Sequence, residues 1–130
     1  MSNIFKIIEN KIILVTGGGG SIGSELSRQI LSYNPKQLII LDNNEYNLFK
    51  IQNEIKEKST NHLSKINIIF KLISINDKSS LENLFIKFKP QIIFHAAAYK
   101  HVPLLEENYM SAIQNNFISS INIIKLSLKY

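Results

Sequence analysis

Apolar residues along this 130-residue chain alternate between short continuous runs and helical stripes, and the alternation predicts its elements. Asn3–Glu9 places Ile4, Ile7 and Ile8 at helical spacing, the pattern of a short amphipathic helix against the outside of a sheet. Lys11–Thr16 is apolar on both faces, as a buried parallel strand must be. Four glycines follow. Ser21–Ser32 then reads as a helix with Ile22, Leu26, Ile30 and Leu31 as its stripe, ended by Asn34–Pro35. Gln37–Leu41 predicts a second buried strand closed by Asp42. Asn43 and Asn44 are N-cap candidates for a helix from about Glu45 to Lys58, with Tyr46, Phe49, Ile51 and Ile55 on its apolar side. A polar break, Ser59–Lys65, precedes a third strand at Asn67–Ile73, which Lys71 interrupts. Ser79–Lys89 is a helix with Leu81, Leu84, Phe85 and Phe88 on one face, stopped by Pro90. Gln91–His95 is a fourth strand and Ala96–Leu105 a loop. A long final helix runs from about Met110, with Ile113, Phe117, Ile121, Ile124 and Leu128 as its inner face.

Strands alternating with helices imply an α/β fold with a parallel sheet. The expected architecture is a Rossmann-like sheet of four strands in the order 3-2-1-4 with flanking helices, half of a doubly wound domain. Its switch point falls between strands 1 and 4. The chain shows no repeat, linker or low-complexity stretch, so residues 1–130 read as one domain. Strand 4 would present an unpaired edge, an awkward state for an isolated protein. A truncated domain, or a chain that pairs with further polypeptide, is therefore expected.

Composition changes the picture mainly by exclusion. The net charge of +5 comes almost wholly from lysine, Arg28 being the only arginine, and the lysines are spread among acidic residues. A nucleic-acid partner would call for clustered cations, so none is expected. The chain has no cysteine, which excludes disulfides and thiolate metal sites and fits a reducing compartment. No apolar run approaches the ~18 residues of a membrane span, and the first residues lack signal-peptide character. The default location is the cytoplasm. His62, His95 and His101 are not spaced as a metal cluster.

The chemistry gathers at the ends of the predicted strands. Gly17, Gly20 and Gly23 fall at G-x-x-G-x-x-G spacing between a strand and a helix, the arrangement of a pyrophosphate-binding turn. Ser21 and Ile22 open the helix, where their N–H groups can face a phosphate, and Thr16 can hydrogen-bond the turn. Asp42 stands nineteen residues after Gly23. A carboxylate there can accept both ribose hydroxyls of adenosine and would repel a 2′-phosphate, which favours NAD over NADP. The bland alternative is a turn or helix-capping aspartate. Ser74 and Ile75 follow strand 3 where an adenine ring would lie, though Ser74–Asp77 is equally consistent with an ordinary turn. Ala96, Ala97 and Ala98 keep the wall thin where a cofactor would lie, and Tyr99, Lys100 and His101 surround the pocket mouth. His95 is expected to hydrogen-bond backbone inside the fold. A core-facing polar residue at Asn115 or Asn116 is expected to do the same.

Three strings sharpen this reading: LVTGGGGSIGSEL (Leu14–Leu26), LDNNEYNLF (Leu41–Phe49) and FHAAAYKHVPLLEEN (Phe94–Asn108). From Lys11 onward the chain resembles the extended short-chain dehydrogenase/reductase superfamily. Within it, the chain resembles the CapD-like polysaccharide-biosynthesis proteins of the UDP-N-acetylglucosamine 4,6-dehydratase type. The resemblance implies a redox-neutral dehydration of a nucleotide sugar, with tightly held NAD(P), in surface-glycan biosynthesis. It also implies that Gly17, Gly20, Ser21, Ile22 and Gly23 hold the pyrophosphate and Asp42 the adenosine ribose. Ser74 and Ile75 would contact the adenine, Ala96–Ala98 would flank the cofactor, and Tyr99 and Lys100 would lie near the nicotinamide and substrate. The chain departs from the family pattern at three places: Ser74 replaces an aspartate, Tyr109 a proline, and Ser119–Ser120 a Gly-Thr pair. The family's acid/base residues, on a Ser-x-Asp-Lys strand end and a Y-x-x-x-K helix, lie downstream of Tyr130, as does the uridine-diphosphate site. No catalytic residue is therefore expected within these 130 residues. Turnover alone is not expected, and a C-terminal half or a homo-oligomeric partner is. Many relatives carry an N-terminal membrane region that this sequence lacks. A non-catalytic dinucleotide-binding module, one half of a split enzyme, and a sugar-nucleotide epimerase are the alternatives; HAAAYKHVP argues against the epimerase.

Overall fold

A computed structural model describes residues 3–58, 65–98 and 107–130. Four parallel strands, β1 (Ile12–Thr16), β2 (Gln37–Asp42), β3 (Asn67–Leu72) and β4 (Ile92–His95), form one sheet in the order β3-β2-β1-β4. The order and strand positions are those the apolar runs predict. β1 and β2 are central and buried along almost their whole length. β3 and β4 are the edges and are half-buried, which accounts for the polar interruption at Lys71.

Because successive strand residues face opposite ways, the sheet carries two cores. Ile13, Val15, Leu38 and Ile40 pack under α1 (Asn3–Ile8), α2 (Ser21–Leu31) and α3 (Glu45–Glu57). Leu14, Ile39 and Leu41 pack under α4 (Lys78–Phe88), through Leu81, Leu84 and Phe85, and under Ile123 of the last helix. That last helix begins as α5 (Tyr109–Ala112), widens into a π-helical segment (Ile113–Ile118) and continues as α6 (Ser119–Lys129).

The helical stripes rotate away from expectation in four helices. In α2 the sheet-facing row is Gly23, Ser27, Ile30 and Leu31, and Ile22 is 67% exposed. Small residues are needed there because a Cβ on Gly23 would overlap the carbonyl of Gly17; Ser27 Oγ donates its proton to the Gly23 carbonyl, 2.8 Å. In α3 the inner row is Leu48, Ile51 and Ile55, leaving Tyr46 and Phe49 outside. Asn44 caps that helix by accepting the Asn47 N–H at 2.9 Å. In the last helix Asn115, Ser119 and Ile123 face inward, whereas Ile113, Phe117, Ile124 and Leu128 are exposed. The exposed apolar row continues on both sides of the π-helical segment, so Asn115, Ser119 and Ile123 form one inward row opposite it. On α1, Ile8 is buried and Ile7 is not.

Candidate functional site

The carboxyl ends of β1, β2 and β4 open onto a cleft of about 390 Å³. Gly17, Gly20, Asp42, Ile75, Ala96, Ala97 and Ala98 line it. The glycine turn is held down from three sides. Gly18 N–H reaches the Leu41 carbonyl at 2.9 Å, Gly20 N–H the Gly17 carbonyl at 3.1 Å, and Gly19 N–H the Asp42 carboxylate at 2.8 Å. Gly17 has φ 64°, and a Cβ there would strike the backbone of Ala96 and Ala97. Only glycine lets the turn pass so close to the end of β4.

Above the turn, α2 starts at Ser21 with Gly20 as an N-cap that offers no side-chain acceptor. The first N–H groups of a helix have no partner within it, so Ser21 and Ile22, which follow the cleft-lining Gly20, carry donors at the positive end of the helix dipole, although neither residue lines the cleft itself. The side chains of Ser21 and Ile22 are exposed, and Gly23 is buried beneath the turn.

Asp42 is 6% exposed and uses both carboxylate oxygens on backbone: Oδ2 accepts from Gly19 N–H and Oδ1 from Asn44 N–H at 2.9 Å. It thus ties the glycine turn to the start of α3, while Asn44 is the helix cap. Each oxygen keeps a further lone pair for a hydroxyl in the cleft. Ser74 is not on the cleft wall. Its Oγ accepts the Asn76 N–H at 3.2 Å, within its own turn, leaving Ile75 as the cleft-facing residue of that pair. Tyr99 and Lys100, and with them His62 and His101, lie outside the described residues.

Four asparagines also line the cleft: Asn43, Asn44, Asn47 and Asn115. The signal for Asn115 was its polarity inside an apolar helical pattern, but its partners are side chains rather than the expected backbone. Asn76 Nδ2 donates to its Oδ1 at 3.4 Å, and its own Nδ2 donates to Asn116 Oδ1 at 3.1 Å. His95 likewise departs from expectation. Its Nδ1 lies 2.6 Å from Thr16 Oγ1 and its Nε2 3.0 Å from Ser120 Oγ, so Thr16 pairs with the histidine instead of the glycine turn. Part of His95 stays open to solvent, yet desolvation of the ring holds its pKa below the usual histidine value. Among the described residues no cluster of histidine and carboxylate groups could hold a metal ion, and no helix is long and apolar enough to cross a membrane.

The family model described as "Polysaccharide biosynthesis protein" matches residues 13–130. The chain belongs to this family. It is 39% identical over 124 residues to the probable polysaccharide biosynthesis protein EpsC of Bacillus subtilis, covering 94% of this chain and 20% of EpsC. It is 29% identical over 120 residues to the UDP-N-acetylglucosamine 4,6-dehydratase (inverting) of Campylobacter jejuni, covering 91% of this chain and 33% of the enzyme. Among solved structures, the UDP-glucose 4-epimerase of Thermotoga maritima, solved with UDP-glucose, superposes with a TM-score of 0.75 at 28% identity, over 91% of this chain and 34% of that one. The Bordetella bronchiseptica enzyme WbmG, solved with NAD and UDP, does so with a TM-score of 0.64 at 26% identity, over 90% and 33%. This chain thus spans between a fifth and about a third of the length of these proteins.

Proposed function

We propose that these 130 residues are one NAD(P)-binding Rossmann-type domain, the cofactor-holding part of a nucleotide-sugar 4,6-dehydratase of glycan biosynthesis. The observation that carries the reading is the cleft at the switch point between β1 and β4. There Gly17 and Gly20 of the turn and Asp42 line one space, and α2 starts directly after Gly20. The residues fit the group. The bare Gly17 and Gly20 backbone admits a pyrophosphate against the amides of Ser21, Ile22 and Gly23. Asp42 accepts ribose hydroxyls, Ile75 offers an apolar surface to the adenine, and Ala96–Ala98 leave room along the end of β4. Ser74 contributes through its turn rather than by direct contact. A carboxylate at the ribose position would repel a 2′-phosphate, which favours NAD over NADP. When bound, the nicotinamide cofactor would supply hydride acceptance and return; this chain's residues bind and orient it.

Tyr99 and Lys100 stand next to that space in sequence and are assigned to its substrate side. The nucleotide sugar, the acid and base, and the polypeptide that covers the open edge of β4 belong in this reading to the remainder of a protein of the relatives' length, between about two-thirds and four-fifths of it. They are supplied in the same molecule or by a separate chain. An epimerase built on the same first half is the second reading, favoured by the match to the Thermotoga epimerase.

Titration calorimetry of the chain with NAD and NADP tests the cofactor assignment. NAD should bind more tightly than NADP, and Asp42→Ala should weaken NAD by about tenfold, the worth of one charge-assisted hydrogen bond. No heat at millimolar NAD, or an affinity indifferent to Asp42, sinks the reading.

A further inference from the structure

We infer that Thr16, His95 and Ser120 form a directed hydrogen-bond strap in which His95 is a positioning residue, setting the spacing between the two walls of the cleft. Ser120 Oγ donates its own proton to the Asn116 carbonyl at 2.6 Å. The hydroxyl can therefore only accept from His95, which places the imidazole proton on Nε2. Nδ1 is then the lone-pair nitrogen, and Thr16 Oγ1–H donates to it at 2.6 Å. The proton order runs in one direction, from Thr16 through His95 and Ser120 to the π-helical segment of the last helix.

The strap's position gives it its role. Thr16 and His95 are register partners at the last rung of the β1–β4 ladder, and the Ala96 N–H completes that rung on the Thr16 carbonyl at 3.1 Å. The residue after Thr16 is Gly17, the floor of the cleft, and the residues after His95 are Ala96–Ala98, its wall. These two segments already approach to the limit a glycine permits, so a small separation of the strand ends changes the cleft directly. The third anchor, Ser120, lies one turn beyond the cleft-lining Asn115. One imidazole thus joins the floor, the wall and the helix behind them, while touching no ligand itself.

The inference rests on reading the cleft as a dinucleotide site, and two measurements separate the failures. Long-range ¹⁵N–¹H spectra of the histidine rings, with the His95 signals assigned by their loss in His95→Gln, should show a single Nε2–H tautomer. Averaged nitrogen shifts like those of a free imidazole would overturn the strap whatever the cofactor does. Calorimetry with NAD should show Thr16→Val, which keeps the shape and removes the hydroxyl, weakening binding between about threefold and tenfold, and Thr16→Ser restoring it to within about twofold. Melting temperatures of both variants confirm that folded protein is compared. Unchanged affinity in folded Thr16→Val, or no rescue by Thr16→Ser, sinks the positioning role alone. Failure of the unsubstituted chain to bind NAD sinks the dinucleotide reading and the positioning role together.

Discussion

At the scale of single residues, the chain separates groups whose role follows from type and spacing from groups whose role depends on a distant partner. The placement of Gly17, Gly20 and Asp42 on one cleft was legible because a turn between a strand and a helix needs bare backbone, and because a strand-end carboxylate stands at a fixed distance from it in a βαβ unit. His95 was not. Its partners Thr16 and Ser120 are 79 and 25 residues away, and only the parallel pairing of β1 with β4 brings them together. The burial of its ring has a consequence for stability. The folded pKa lies below the ordinary value of 6.5, so between these two values the unfolded chain binds more protons than the folded one. The stability contributed by neutral His95 is therefore complete above about pH 6.5 and is lost as pH falls through that window towards the folded pKa. In urea unfolding, the midpoint should drop between about pH 7 and pH 5.5 by more in the unsubstituted chain than in His95→Gln. An equal drop in both would show that His95 does not carry this pH dependence.

At the scale of elements, the strands were readable and the helical faces were only half so. A central parallel strand must be apolar on both sides, and few other segments of this length are, so Ile12–Thr16 and Gln37–Asp42 announce themselves. A helix buries whichever row its caps and neighbours turn inward. Where the neighbour is a close backbone, the buried row consists of small residues that a search for large apolar side chains passes over, as at Gly23 and Ser27. In the last helix the apolar residues follow a regular period, but that row faces outward on both sides of the π-helical segment, and Asn115, Ser119 and Ile123 face the sheet instead. The corrected face makes a direct prediction. Ile123 is 4% exposed in the second core and Leu128 is 85% exposed. Ile123→Ala should cost about 2–4 kcal/mol of unfolding free energy, whereas Leu128→Ala should stay within about 0.5 kcal/mol. Denaturant curves on the two variants check this, and equal losses would return the helix to the face its apolar period suggests.

At the scale of the whole molecule, two surfaces and one inventory point the same way. Among the described residues β4 pairs only with β1, so one side of it offers free strand edge. Ile113, Phe117, Ile124 and Leu128 leave an apolar row on the last helix. Cofactor binding and turnover need different things from such a molecule. Holding a dinucleotide takes a turn, a helix start and a carboxylate; Gly17, Gly20 and Asp42 line the cleft, and α2 starts directly after Gly20. Eliminating water from a sugar takes in addition a base at one carbon and an acid at the leaving hydroxyl, both within hydrogen-bond reach of the substrate. Among the described residues Asp42 is the only carboxylate lining the cleft, and both of its oxygens accept backbone amides, those of Gly19 and Asn44. Asp42 is thereby tied to the glycine turn and to the start of α3. Tyr99 and Lys100, even placed beside the substrate, would form an incomplete set without the downstream Tyr and Lys that the family resemblance implies. The 130-residue chain supplied with NAD and UDP-N-acetylglucosamine should therefore yield no 4-keto-6-deoxy product. Absorbance of the keto sugar in alkali, or mass spectrometry of the nucleotide pool, reads the outcome. Product formed by this chain alone would mean that the acid and base lie within these residues after all, and Tyr99→Phe and Lys100→Met would then identify them.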